Sequence, residues 1–480
     1  MTEFIPHVIN GEETGSVSGA RFATVDPWVR QPWAEVAQGC AEDAGRAVAA
    51  ARLAFDEGPW PRMELEKRGA LLRGLADLII ANAADLATAD TTDMGKPIME
   101  GLENDVPHAA LAFRFSADHA SLATADALPT DAVHHAYTRF EPAGVAAAIT
   151  PWNFPLMLAA WTVAPALAWG NTVVLKPAGE SPASAAMLAR LALQAGFPPG
   201  VLNVVQGDGP AVGAALTSDP RVNRIAFAGE PGTGRAVSAA AAASLAPVHA
   251  DLGGNGASVV FADADLRGAV DWSVRAIFSN SGQACLAGSR LFVQRPVYSE
   301  FVDRFRAAAE ELRIGDPKVP DTEFGPQASE EHYLKVRSYV AAIGPQGGTI
   351  VTGGLGDRPW VVRPTIVADA PPDAPIATEE ICGPVAVVHP FDTEEQAVTA
   401  ANGTRYVRNA IVYTENLSRA HRVSAALRAG TVWVNCVSVR GLRAPFGGAG
   451  DPGVGRGAGT FGRDFFTEPK TVVMAIRPSG

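Results

Sequence analysis

The sequence is poor in the features that mark several large protein classes. Its four cysteines, Cys40, Cys285, Cys382 and Cys436, are scattered along 480 residues without metal-ligand spacing, so neither a disulfide framework nor a metal site is indicated. No Lys/Arg-rich run offsets a net charge of −12, which argues against nucleic acid as the main partner. The start, Met1-Thr2-Glu3-Phe4-Ile5-Pro6, has neither a basic leader nor an apolar stretch, and no later apolar run is long enough to span a bilayer. A cytoplasmic protein without a membrane partner is expected. Internal repeats are missing as well. What remains is a globular composition, with 47% hydrophobic and 19% charged residues, on a chain too long for one ordinary core.

Residues 7 to 39 alternate short apolar runs with Gly, Pro and Asp, as strands and turns do. From Ala41 to Ala89 the period becomes helical, and a further helix is predicted from about Glu103 to His119. It carries Arg114 between Phe113 and Phe115, which suggests a partly covered position. Residues 122 to 140 read as a hairpin. Val145 to Ile149, Thr172 to Leu175, Val201 to Val205 and Ile225 to Phe227 then read as short buried strands separated by Ala/Leu-rich helices, the pattern of a parallel sheet with right-handed crossovers. A second alternating region follows from about residue 257, and Phe465 to Ile476 reads as an exposed strand. The run from Gly447 to Gly459 looks like a loop.

The chemistry gathers around Ser281-Gly282-Gln283-Ala284-Cys285. A thiol serves as a nucleophile when it can ionise and a substrate can reach it, and Gly282 and Ala284 leave room for that approach. An isolated cysteine is more often inert, but this one keeps company. Upstream stand Pro151-Trp152-Asn153-Phe154-Pro155 and Asp251-Leu252-Gly253-Gly254-Asn255. Downstream stand Glu379-Glu380-Ile381-Cys382-Gly383-Pro384-Val385 and Pro445-Phe446-Gly447-Gly448. In that order and at those separations the chain resembles the aldehyde dehydrogenase superfamily from near residue 8 to its C-terminus.

The resemblance implies an α/β fold with a Rossmann-type dinucleotide-binding domain (1–121 and 141–250), an α/β catalytic domain (251–441), a Gly-rich loop returning to the cofactor domain (442–463) and oligomerisation strands (122–140 and 464–480). It implies oxidation of a small-molecule aldehyde with NAD, NADP being open, in a homodimer or homotetramer. Cys285 would form the tetrahedral adduct, the amide of Asn153 and the backbone N–H of Cys285 would receive its alkoxide, and Asp251 would be the base that activates water against the thioester. Ile149, Trp152, Lys176, Gly209, Gly213, Phe227, Gly229, Glu230, Leu252 and Glu380 would line the cofactor, and Phe154 the substrate.

Several positions depart from the family pattern. Asp251 stands where glutamate is usual, one methylene shorter, and a base displaced by about 1 Å can lose roughly a hundredfold in rate. Asn255 replaces a usual lysine and Cys382 a usual phenylalanine, while Gly450 and Pro452 replace lysine and serine. Gly179 stands where NAD-preferring members often carry glutamate, with Glu180 one place later. Three local features resemble the muconate-semialdehyde dehydrogenases: Phe113-Arg114-Phe115, Gly229-Glu230, and Val439-Arg440-Gly441-Leu442-Arg443. Those enzymes take aldehydes with a remote carboxylate, which an arginine grips well. Arg114 and Arg443 are the expected partners, with Arg440 in reserve. Two readings stay open, an active semialdehyde dehydrogenase and a member of the same fold with lost or altered catalysis.

Overall fold

The computed structural model describes residues 3–439 and 441–476, so Arg440 lies outside the described residues. Val145–Ile149, Thr172–Lys176, Leu202–Val204, Arg224–Gly229 and Val248–Leu252 form a parallel core within a ten-stranded sheet. The central strand Val145–Ile149 is apolar on both faces because helices cover both. Val145, Ala147 and Val174 pack against the helix Ala41–Asp56, while Ala146, Ala148 and Val173 face the helices Val106–Ser121 and Pro155–Ala168.

The strand order is 202, 172, 145, 224, 248 by first residue. The chain therefore builds outward on one side of Val145–Ile149, then crosses to the other, and a crevice opens at the carboxyl ends where it does so. Register sets those ends in a row: Lys176 is opposite Ile149, Ile149 is opposite Phe227, and Gly229 is opposite Leu252. A second, seven-stranded sheet is built from residues 257–434 around Ala257–Val260, Arg290–Gln294 and Val385–Phe391.

Two expectations are corrected. The Gly-rich run is not only a loop: Ala449–Gly450 and Gly453–Val454 extend the first sheet beyond Val248–Leu252, with Gly453 opposite Asp251. The peptide groups on that flank of Val248–Leu252 find their partners there. Gly453 has a φ of 123°, and a Cβ on it would lie 1.8 Å from the carbonyl oxygen of Ala250, so no larger residue fits. The C-terminal strand, Thr467–Ala475, pairs antiparallel with His134–Pro142 of its own chain, Thr467 opposite Pro142 and Ala475 opposite His134. The two segments expected to serve oligomerisation thus pair with each other within one chain, and Thr467–Ala475 is not left unpartnered. Phe465 and Phe466 close the preceding helix Gly459–Phe466 instead of opening the strand, since Phe466 is buried in the core. Among the described residues no helix is long and apolar enough to cross a membrane.

Candidate active site

Cys285 is reached through an unusual turn. After the helix Leu266–Phe278, the residues Asn280, Ser281 and Gly282 have φ of 51°, 55° and 77°. Left-handed backbone costs about 1–3 kcal/mol for each non-glycine residue and persists only where the surroundings impose it. Here they do. The Asn280 N–H donates to both oxygens of Glu100 (2.9 and 3.0 Å), the Gly325 N–H to Ser281 Oγ (2.9 Å), and the Ala328 N–H to Gln283 Oε1 (2.8 Å). A Cβ on Gly282 would lie 2.3 Å from the nitrogen of Pro384, so its smallness serves the approach of that segment and not the entry of substrate.

Burial pushes the Glu100 carboxyl up to about 7, against the pull of the Asn280 N–H. The folded chain then holds a proton that the unfolded chain, with its ordinary value of 4.5, releases. Stability from this group is present at low pH and is lost as pH rises from about 4.5 to 7, by about 3 kcal/mol. Glu100→Gln keeps an acceptor for the Asn280 N–H without the titrating proton. Melting temperatures at pH 5 and pH 8 should differ less in the variant than in the parent; an unchanged difference would remove Glu100 from the account.

The Sγ of Cys285 lies 3.5 Å from Nη2 of Arg408. Arg408 also donates to both oxygens of Asp251 (2.5 and 3.0 Å) and to the carbonyl of Leu252. Burial works against the guanidinium charge, yet Asp251 and Cys285 hold its proton more tightly than in an ordinary arginine. Asp251, expected as a general base, is therefore the anionic half of a bidentate ion pair. Nothing in the sequence around Arg408 announces this contact. The residue sits just ahead of the strand Asn409–Tyr413, and no local pattern marks it.

Asn153 directs its amide toward the same turn, Nδ2 donating to the carbonyl of Gln283 at 3.0 Å. An amide nitrogen carries two hydrogens, so this bond leaves one for a substrate oxygen. Phe154 lies over the buried Lys96 ammonium, 3.9 Å from Nζ to ring centroid, and Lys96 in turn pairs with Asp105.

At the sheet crevice, Lys176 ends its strand with Nζ donating to the carbonyl of Pro177 at 3.0 Å, and burial pushes its ammonium down to about 8. Gly213 lies beside its aliphatic stem, where a Cβ would sit 3.8 Å from Cδ, whereas the space at Gly209 is open. Gly229 lets the Phe227 ring fold back over the backbone, and Glu230, at the start of the helix Pro231–Ala241, bonds Lys335 at 2.7 Å. Gly179 is only partly buried and Glu180 is exposed. Glu380 Oε1 accepts from the Gly254 N–H at 2.8 Å, and burial pushes the carboxyl up to about 7. Trp152 packs on His332 (4.6 Å between centroids), whose Nε2 donates to the carbonyl of Cys382 at 2.8 Å. Asn255 ties the loops together, donating to the Glu379 carbonyl (3.2 Å) and accepting from Ser289 Oγ (2.9 Å).

A cavity of about 100 Å³ adjoins this site, walled by Phe115, Leu158, Trp161, Leu442 and Phe446 and reaching Asp251. The expected arginine pair does not meet in it. Arg114 turns to the surface and bonds Asp77 at 2.7 Å, and its covered neighbours are Phe113 and Phe115. Arg443 is exposed, one residue beyond Leu442 of the cavity wall. Among the described residues no group of His, Cys, Asp and Glu side chains is placed to hold a metal ion.

The aldehyde dehydrogenase family pattern matches residues 14–472. The 2-hydroxymuconic semialdehyde dehydrogenase of Pseudomonas sp. (strain CF600) is 43% identical over 98% of this chain and 99% of its own length. The mitochondrial aldehyde dehydrogenase of Homo sapiens is 42% identical over 98% of this chain and 91% of its own. A solved aldehyde dehydrogenase of Bacillus cereus, in complex with NAD+, superposes with a TM-score of 0.97 at 37% identity, covering 99% of this chain and 97% of that one. With the thiol, the amide and the sheet crevice set as described, the chain belongs to the aldehyde dehydrogenase family.

Proposed function

We propose that the protein oxidises an aldehyde to its acid with NAD, through a thiohemiacetal and then a thioester on Cys285, and that the preferred aldehyde carries a remote carboxylate of the muconate-semialdehyde kind. The observation that carries the oxidation is the placing of the Cys285 thiol between the Arg408 guanidinium and the turn to which Asn153 is bonded. The cation favours the thiolate. The second amide hydrogen of Asn153 supports the alkoxide that forms when the thiolate adds to the carbonyl.

The crevice fits a dinucleotide: a buried lysine ends one strand, a glycine frees the backbone next to Phe227, and the first N–H groups of the helix that begins at Pro231 would offer donors to phosphate. Bound NAD supplies the hydride acceptor. Lys176 and Glu380 would hold its hydroxyls. With no side chain at Gly179 to crowd a 2′-phosphate, NADP belongs in the same assay.

The carboxylate preference is supported by Leu442, which lines the cavity directly before Arg443, and by the 43% identical relative named for 2-hydroxymuconic semialdehyde. The test is the catalytic efficiency on a muconate-type semialdehyde divided by that on an uncharged aldehyde of equal length, measured with NAD and with NADP. Arg443→Ala and Arg440→Ala are expected to lower the ratio, about tenfold or more for the arginine that meets the carboxylate. Arg114→Ala should leave it unchanged, since that side chain is engaged by Asp77. A ratio near one in the parent would return the substrate class to aldehydes at large, and an absence of reduced cofactor with every aldehyde would favour lost or altered catalysis.

We further propose a homodimer or larger assembly. The strand Thr467–Ala475 forms one edge of its small sheet and exposes Val473 and Met474, followed by Ile476. Such an edge invites pairing with a second copy. Sedimentation at micromolar concentration should show no monomer, and a stable monomer would contradict the assembly.

A further inference from the structure

The Arg408 clamp leaves the hydrolytic half of the reaction without an obvious base. If Asp251 took a proton, a buried guanidinium would lose its counter-charge, and such a step is unfavourable. The same strand offers another group. On Val248–Leu252 successive side chains alternate, so His249 and Asp251 share one face, and both line the same cavity. Two residues of extended chain separate them by roughly 7 Å, and Asp251 is joined through Arg408 to Cys285, so this face leads toward the thiol.

His249 is built into its place. A Cβ on Gly455 would lie 2.9 Å from its Cδ2, and one on Gly457 would lie 3.1 Å from its Cε1, so the Gly-rich segment makes room for the ring. Phe465 covers another side, 5.6 Å between centroids. Its Nε2 is buried and has no hydrogen-bond partner among the described residues, a state that native structures avoid without cause. The charged groups facing it are Asp251 on its own strand, Arg408 and Arg456. Burial, helped by the two arginines and opposed by Asp251, holds the imidazole below its ordinary value, so it is neutral at neutral pH. His119, across the same cavity, faces Arg463 and not Asp251.

We propose that His249 is the general base for thioester hydrolysis, a role that rests on the oxidation reading above. Water adds its oxygen to the thioester carbon while the imidazole takes one of its protons. Collapse of the tetrahedral adduct breaks the C–S bond, its electron pair returns to Cys285 as thiolate, and the carboxylic acid leaves. The imidazolium then passes its proton through the cavity to solvent. Arg408 stays paired with Asp251 throughout and receives the thiolate.

The test uses 4-nitrophenyl acetate, which acylates a reactive thiol without cofactor or aldehyde, so hydrolysis is read independently of oxidation. The burst of nitrophenolate reports acylation of Cys285 and counts competent sites. The steady state reports hydrolysis of the acyl enzyme. His249→Gln and His249→Asn are expected to keep the burst and to slow the steady state, per competent site, by about 10²–10⁴-fold. They should also abolish the acid-side fall of the parent's rate, whose midpoint lies below that of an ordinary histidine. A steady state near the parent's, or an acid limb that persists in the variants, would overturn the proposal. So would a burst lost in proportion to the steady state, which would make the ring structural. Normal ester hydrolysis with no reduction of NAD by any aldehyde would instead count against the oxidation reading and leave the base assignment standing.

Discussion

Replacing Cys285 with alanine is expected to lower aldehyde oxidation by at least about 10⁴-fold, the scale on which loss of a covalent nucleophile is felt, while NAD binding changes little. The separation follows from where the two sites are built. The crevice proposed for the cofactor lies at the carboxyl ends of strands in the first sheet, at Ile149, Lys176 and Phe227. The thiol belongs to the turn after the helix Leu266–Phe278, held by Glu100, Gly325 and Ala328. None of those bonds involves the Cys285 side chain, so the turn survives its truncation. Reduced-nicotinamide absorbance gives the activity, and quenching of the parent and variant fluorescence by NAD gives the binding. Turnover within tenfold of the parent would remove Cys285 from the chemistry, and parallel loss of both readouts would show that the crevice depends on the thiol.

The parts legible in the sequence are those with short-range signals. The run Val145-Ala146-Ala147-Ala148-Ile149 reads as a buried strand because every residue is apolar, and it is one. Cys285, Asn153 and Glu380 stand in short stretches whose residue types fit one reaction, and the shortened acid at 251 is visible as a departure. What could not be read is what that departure accompanies. Arg408 meets Asp251 across 157 residues of chain, and at its own position it resembles any charged residue ahead of a strand. Gly282 reads locally as space beside a nucleophile, yet its constraint comes from the distant Pro384, whose approach no local pattern records. The strands at 449–454 are two residues each, too short for a period to show. The direction of Arg114 is hidden for a related reason: flanking aromatic residues say that a helix has a covered face, while the position of Asp77 on the neighbouring helix Leu65–Ala81 decides where the arginine turns.

Removing the cation beside the thiol should have the second large effect, on stability and reactivity together. Arg408 is 3% exposed and Asp251 16%, so Arg408→Leu strands a carboxylate in a nearly dry site, a change that costs about 3–5 kcal/mol. Asp251→Asn strands the guanidinium instead, relieved in part by its bond to the carbonyl of Leu252. The double variant removes both charges. Its loss should be little greater than that of Arg408→Leu alone, giving a coupling close to the smaller cost of Asp251→Asn alone, about 2–3 kcal/mol, in a double-mutant cycle by denaturant unfolding. Additive losses would mean that the two groups stabilise the fold separately. Reactivity follows the cation alone: Nη2 faces Cys285 Sγ at 3.5 Å, so Arg408→Leu should slow alkylation of Cys285 at neutral pH by about tenfold, measured at a temperature where each variant is folded. Asp251→Asn leaves the cation without its competing carboxylate, and alkylation should be no slower than in the parent. The opposite order, with the aspartate variant slow and the arginine variant normal, would assign the thiol's activation to Asp251 and reverse the division of labour between the pair.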